Sequence, residues 1–259
     1  KAEQYPDDPD DAFILSGRLF FDKDALAYYK KNKRLKAQYR FDFLRGSDYQ
    51  RARRRRSRDG MVSVFQEPHP EHAYALAADV ATGRGRDYSV AYVIDLATMG
   101  LVAEFHGKID PDQFAYQLCF LGWWYHRAKI AIEMGGGYGE PIVIALRDGR
   151  EGFPPYPNLY RYTEGDSVKL QQRKTFGFPM TSKTRPLVLA GLEKALREHA
   201  LPWVTEDLMT ELRTFVHKDT IPSPRAEDGT NDDCVMAAAI ACEMFRLYGA
   251  HPRKARRRT

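Results

Sequence analysis

The sequence predicts an α/β domain in which a mixed sheet, three antiparallel strands continued by parallel ones, is flanked by helices. Three observations predict it. Residues 73–80 (AYALAADV), 88–96 (YSVAYVIDL) and 101–108 are apolar, β-branched or aromatic runs of strand length. The turn residues between them form links too short for a crossover, which makes the three strands antiparallel neighbours. Beyond residue 110, helical and strand-like segments alternate, the pattern that lays parallel strands beside helices.

Taken in order, residues 1 to 60 are expected to be an appendage. Tyr5-Pro6-Asp7-Asp8-Pro9 is turn-rich, a short helix is expected from Asp24 to Lys36, and the run Arg51–Arg58 (RARRRRSR) is expected as a surface loop. After the three strands, Asp110 and Pro111 open a helix with Phe114, Leu118 and Leu121 on one face. Lys129–Met134 (KIAIEM) supplies a fourth strand before Gly135-Gly136-Gly137. A helix over Tyr138–Arg150 and a fifth strand over Asn158–Thr163 follow. Thr181 or Ser182 caps a helix running to Glu198, Thr205–Val216 gives a short one, and the last spans about Asp232 to Tyr248.

The chain of 259 residues can bury one large core. No apolar run approaches the roughly 20 residues of a spanning helix, so no membrane role is expected. The net charge of +5 is unevenly placed: Lys30–Lys36, Arg51–Arg58 and Arg253–Arg258 are basic, and the body between is richer in carboxylates. Basic runs around an acidic centre suit a polyanionic partner. Cys119, Cys234 and Cys242 form no CxxC pair, which speaks against a zinc site or a disulfide framework.

The acids carry the chemistry. Asp79 is the penultimate residue of an apolar strand, and Glu133 repeats the arrangement just before three glycines. A carboxylate there is costly unless paired, hydrogen-bonded or bound to metal. Asp232 and Asp233 open an alanine-rich helix able to pack closely on a sheet. Each acid alone has an ordinary explanation: a turn acceptor, a partner for a buried base, or a helix N-terminal acid favoured by the macrodipole. Together, converging carboxylates ask for hard cations such as Mg²⁺. Two ions about 3.5–4 Å apart serve phosphodiester hydrolysis.

The segments AADVATGRGRDYSVAYVID, IAIEMGGGYGEPIV, GFPMTSKTRPLVLAGLEKAL and GTNDDCVMAAAIA, with the opening YPDDPDDAFILSGRLFF, resemble the nuclease domain of the large terminase subunit of tailed bacteriophages. That resemblance implies a ribonuclease-H-like fold, two Mg²⁺ or Mn²⁺ ions, and cutting of concatemeric double-stranded DNA during genome packaging in the host cytoplasm. It carries the metal-ligand and catalytic roles onto Asp79, Glu133 and the Asp232/Asp233 pair, with the direct ligand of that pair left open. Asp87, in GRDYS, is an auxiliary acid candidate. Lys183 and Arg185 at a helix start, and Lys218 with His217 before TNDD, are candidate DNA contacts.

A whole large terminase subunit also carries a GxxxxGK[ST] phosphate loop, and none occurs here. The expected division is therefore residues 1–60 as a linker to an absent N-terminal ATPase domain, 61–250 as the nuclease, and 251–259 as a basic tail. In the intact protein the ATPase domain, a small terminase subunit and a portal are the implied partners, and the isolated domain is expected to be a monomer. Two other readings remain: a resolvase or integrase-type nuclease on the same fold, and a basic DNA-binding module without catalysis.

Overall fold

The computed structural model describes residues 18–32, 35–44, 53–81, 87–164, 173–218 and 223–249. The first strand β1 (Arg18–Leu19) leads into α1 (Lys23–Asn32), β2 (Tyr39–Phe43), β3 (Arg54–Arg56) and β4 (Val62–Val64). The three predicted strands follow as β5 (Tyr74–Asp79), β6 (Ser89–Asp95) and β7 (Leu101–Gly107). Next come α2 (Pro111–Trp124), β8 (Lys129–Ile132), α3 (Gly139–Asp148), β9 (Arg161–Glu164) and β10 (Arg173–Phe176). The chain closes with α4 (Thr184–Arg197), α5 (Glu206–Arg213), β11 (Phe215–His217), β12 (Arg225–Ala226) and α6 (Asp233–Tyr248).

Seven strands form one sheet in the order β3-β2-β4-β7-β6-β5-β8. β5, β6 and β7 are antiparallel neighbours, and β8 lies parallel to β5, as the short links and the later crossover require. β5 and β6 are buried at every position, so the central strands are covered on both faces. On one face Ala75, Ala77, Val90, Tyr92 and Ala131 pack beneath α4 and α6. On the other, Leu76, Ala78, Ala91, Val93, Ile130 and Ile132 pack beneath α2 and α3. Fully burying one such aliphatic side chain stabilises by about 1.5–3 kcal/mol. The run of alanines in α6 lets that helix lie close on β5.

Several expectations are corrected. The α1 helix stops at Asn32, short of Lys36. The stretch after it contains β2, whose Tyr39, Phe41 and Phe43 alternate toward the core. The arginine run, expected as a loop, contains strand β3, paired with β2 from Arg54↔Phe43 to Arg56↔Phe41. The sheet thus continues across residue 60, and Phe41 and Phe43 belong to its core. The fifth strand is displaced: Leu159 bridges Ile130 beside β8, but Arg161–Glu164 turns away to pair with β10 in a two-stranded ribbon. The turn Thr82–Gly85, the opening segment through Gly17, Lys33 and Arg34, Arg51 and the basic tail lie outside the described residues. Among the described residues, no helix is long and apolar enough to cross a membrane.

Candidate active site

Strand parity brings the acids together. On β5 the odd positions Ala75 and Ala77 face α6, and Asp79 continues that row. On β8 Ala131 faces the same way, and Glu133 is the next residue of its parity. The register Ala78↔Ile132 carries on through the Glu133 N–H, which donates to the Ala78 carbonyl at 2.8 Å. Asp79 and Glu133 are therefore neighbours at the ends of two parallel strands. Both are directed toward the start of α6, where Asp233 is the first helical residue.

The carboxyl groups interact directly. Asp79 is 7% exposed, and its carboxyl is pushed well above the usual range. Burial is the largest cause, followed by a hydrogen bond and charge from Glu133, then the charges of Asp233 and Asp232. Asp233 is pushed up to about 7 by burial and by the nearby charges of Asp87, Asp232 and Glu133, although its Oδ2 accepts the Tyr88 N–H at 2.7 Å. The contrast with Asp95 is informative. That carboxylate also ends a buried strand, but its Oδ2 meets His72 Nδ1 at 2.7 Å and its Oδ1 accepts the Ala97 N–H at 2.8 Å. Asp95 has a basic partner, whereas Asp79 faces other acids.

Glycines keep this corner open. A Cβ on Gly135 would collide with the Glu133 carboxylate oxygen, and one on Gly139 with the Glu133 carbonyl. Gly136 and Gly137 take φ values of 65° and 86°, a turn that side chains with a Cβ resist. The GGG run thus leads the chain away without covering Glu133.

The remaining candidates divide. Asp232 stands at the N-cap position of α6, where its Oδ2 accepts from Arg185 Nη2 at 3.0 Å. The same guanidinium donates to Ser223 Oγ and the Pro224 carbonyl, so Arg185 fastens the start of α4 to the approach of α6. That geometry makes it a structural clamp and leaves little of it for DNA. Lys218 pairs with Asp228 at 2.7 Å. Lys183 is exposed at the start of α4, and Asp87 is exposed near Asp233. His217 pairs with Arg18 across the β1–β11 ladder, and Phe20 packs edge-on against its ring.

Sequence reasoning missed Glu211. This residue of α5 is buried, and its Oε2 accepts the Val235 N–H at 3.0 Å, in the first turn of α6. It satisfies an orphan donor of the helix that carries Asp233 and so holds the helix start in place. Burial pushes its carboxyl up to about 8, an effect the Val235 N–H opposes. A signal was present: Leu208, Glu211, Leu212 and Phe215 follow helical i, i+3, i+4, i+7 spacing, which sets Glu211 on the apolar stripe.

The donor set suits a hard divalent cation, being carboxylate oxygens on a buried corner with raised proton affinity. Among the described residues, no three such side chains are arranged to hold one ion as they stand. The arrangement is one in which the acids satisfy one another, Asp79 with Glu133 and Asp232 with Arg185.

No protein-family model matches the chain. A sequence search of curated proteins likewise gives no match. Solved structures do match. The large terminase nuclease from thermophilic phage G20c with bound magnesium superposes with a TM-score of 0.54 at 21% identity, covering 72% of this chain and 89% of that one. The same nuclease with bound cobalt gives 0.52 at 19% identity, covering 72% and 89%. The large terminase nuclease domain of Thermus phage P74-26 gives 0.52 at 20% identity, covering 73% and 87%. The chain has the ribonuclease-H-like fold of phage large-terminase nuclease domains.

Proposed function

We propose that this chain is a metal-dependent endonuclease that cuts double-stranded concatemeric DNA during phage genome packaging. The observation that carries the reading is the meeting of Asp79 and Glu133, on adjacent parallel strand ends, with Asp233 at the start of α6. The fold shared with terminase nuclease domains, one of them solved with magnesium, supports it.

Asp79, Glu133 and Asp233 would hold the cations, with Asp232 released from Arg185 as the fourth donor. Two Mg²⁺ or Mn²⁺ ions held there would supply charge for the attacking and leaving oxygens of phosphodiester hydrolysis. The protein's own part is positional. β5 and β8 fix two carboxylates through their ladder, Glu211 fixes the third by holding α6, and Gly135 leaves Glu133 uncovered. Asp87, exposed near Asp233, is the auxiliary acid. Lys183, exposed at the start of α4, is the candidate phosphate contact that the geometry leaves available. In the intact motor, the residues before β2 would lead from an ATPase domain, with a small terminase subunit and a portal as partners in the host cytoplasm.

A plasmid nicking and linearisation assay with Mn²⁺, Mg²⁺ and EDTA tests the reading on wild type and Asp79→Ala. The expected result is metal-dependent, largely sequence-independent cutting that the substitution abolishes. Folded protein that cuts under no metal condition, or an Asp79→Ala variant as active as wild type, would sink it.

A further inference from the structure

We propose that the β3 edge, through Arg54 and Arg56, is a second contact for the phosphate backbone of the duplex cut at the acids, an inference that rests on the nuclease reading above. β3 is an outer strand of the sheet and all three of its residues are exposed arginines. Arg54 and Arg56 stand on one face of the strand, cross-strand from Phe43 and Phe41. Their guanidinium groups lie over aromatic rings: Arg54 at 4.2 Å from the Trp124 centroid, Arg56 at 4.2 Å from that of Tyr39. Arg55, on the other face, reaches Asp42 at 3.9 Å.

Edge strands are often protected by charge, which requires cations but not a fixed orientation for them. Here stacking on aromatic faces restrains two guanidiniums before any ligand arrives. Their in-plane N–H donors remain available for the bidentate hydrogen bonds that favour arginine over lysine at phosphates. Neither has a carboxylate partner among the described residues. Trp124 thus supports a backbone contact from beneath, in place of stacking on a base.

Register gives the row its place. Asp79 pairs with Val90 and Val90 with His106. One step inward, Phe105 pairs with Val62, Val62 with Phe41 and Phe41 with Arg56. The backbone of Arg54–Arg56 therefore stands at the same end of the sheet as Asp79, five strand spacings or about 24 Å away along the ladder, with Arg55 on the face of Asp79 and Arg54 and Arg56 on the α2 face beside Phe43 and Phe41. Lys108, over the Tyr88 ring at 4.9 Å, lies between them at that end. A duplex laid across the strand ends spans this interval in about seven base pairs.

Anisotropy of a labelled duplex of about 30 base pairs in EDTA, across a salt series, measures the contact. Loss of two phosphate contacts in Arg54→Gln/Arg56→Gln should flatten the slope of log affinity against log salt by about 1.8. Between 50 and 200 mM salt that change corresponds to a roughly twelve-fold smaller fall in affinity. Arg56→Gln alone, which leaves Arg54 on Trp124, should flatten the slope by about 0.9 and covers the case in which the double variant fails to fold. Lys194→Gln/Arg197→Gln removes the same charge from the last turn of α4 and should leave the slope unchanged. In Mn²⁺ the β3 variants should raise KM for plasmid cleavage and leave kcat unaltered. Unchanged slope and KM in both β3 variants, with wild type binding and cutting DNA, would overturn the contact and leave the nuclease reading standing. Wild type that neither binds nor cuts DNA would overturn both.

Discussion

Asp79 is the residue on which the proposed site turns. Its carboxyl is buried among acids and held well above the usual range, so the metal-free fold is less stable for having it. Asp79→Asn keeps the shape and can still hydrogen-bond Glu133. It is expected to abolish metal-dependent cleavage and to raise Tm in EDTA by a few degrees, on the order of 1 kcal/mol. A variant that melts below wild type in EDTA would show that Asp79 stabilises the fold as Asp95 does with His72. Asp79 and Glu133 were legible in the sequence because an acid closing an apolar strand before a turn is costly without a partner. The roles within TNDD were not legible. Adjacent residues at a helix start differ by about 100° in direction, and it is Arg185, 47 positions upstream of Asp232, that ion-pairs with one of the two.

At the level of elements, the placement of α6 matters most. Its first turn holds Asp233 and is fastened by Glu211 through Val235 and by Arg185 through Asp232. Removing the acceptor in Glu211→Ala leaves a buried N–H unsatisfied, at a cost of about 1–3 kcal/mol. Glu211→Gln keeps an acceptor and mimics the protonated form favoured near neutrality, so it should melt close to wild type and retain cleavage. Thermal melts and plasmid assays on both variants check this, and equal losses in the two would contradict the capping role. The strands β5 to β8 and helices α2, α3, α4 and α6 were legible from periodicity. β3 was not: four consecutive arginines carry no strand pattern, and pairing with β2 plus stacking on Trp124 and Tyr39 makes the strand. β2 was legible but overlooked, because the basic residues around Tyr39, Phe41 and Phe43 hide their period of two.

Across the whole molecule, buried acids set the pH response. Glu104 and Glu211 have ordinary values near 4.5 and are pushed up by burial to about 7 and about 8. The folded chain keeps protons that the unfolded chain has released, so stability falls as pH rises through this window. His106, held neutral by burial, acts in the opposite sense below about 6.5. Metal-free protein should therefore melt several degrees lower near pH 8 than near pH 6.5, a loss of stability on the order of 2 kcal/mol. A flat or rising Tm over that interval would contradict the burial of these two acids. The domain boundary proposed at residue 60 falls within a continuous sheet, since β2 and β3 extend it beyond β4. The acids, the α6 start and the β3 edge thus belong to one scaffold. Asp79, Glu133 and Asp233 are expected to form a divalent-cation site, which calorimetric titration of Mn²⁺ measures. Wild type should bind, and Asp79→Asn, Glu133→Gln and Asp233→Asn should each weaken binding at least tenfold, about 1.4 kcal/mol. Folded variants that bind Mn²⁺ as tightly as wild type would contradict the account.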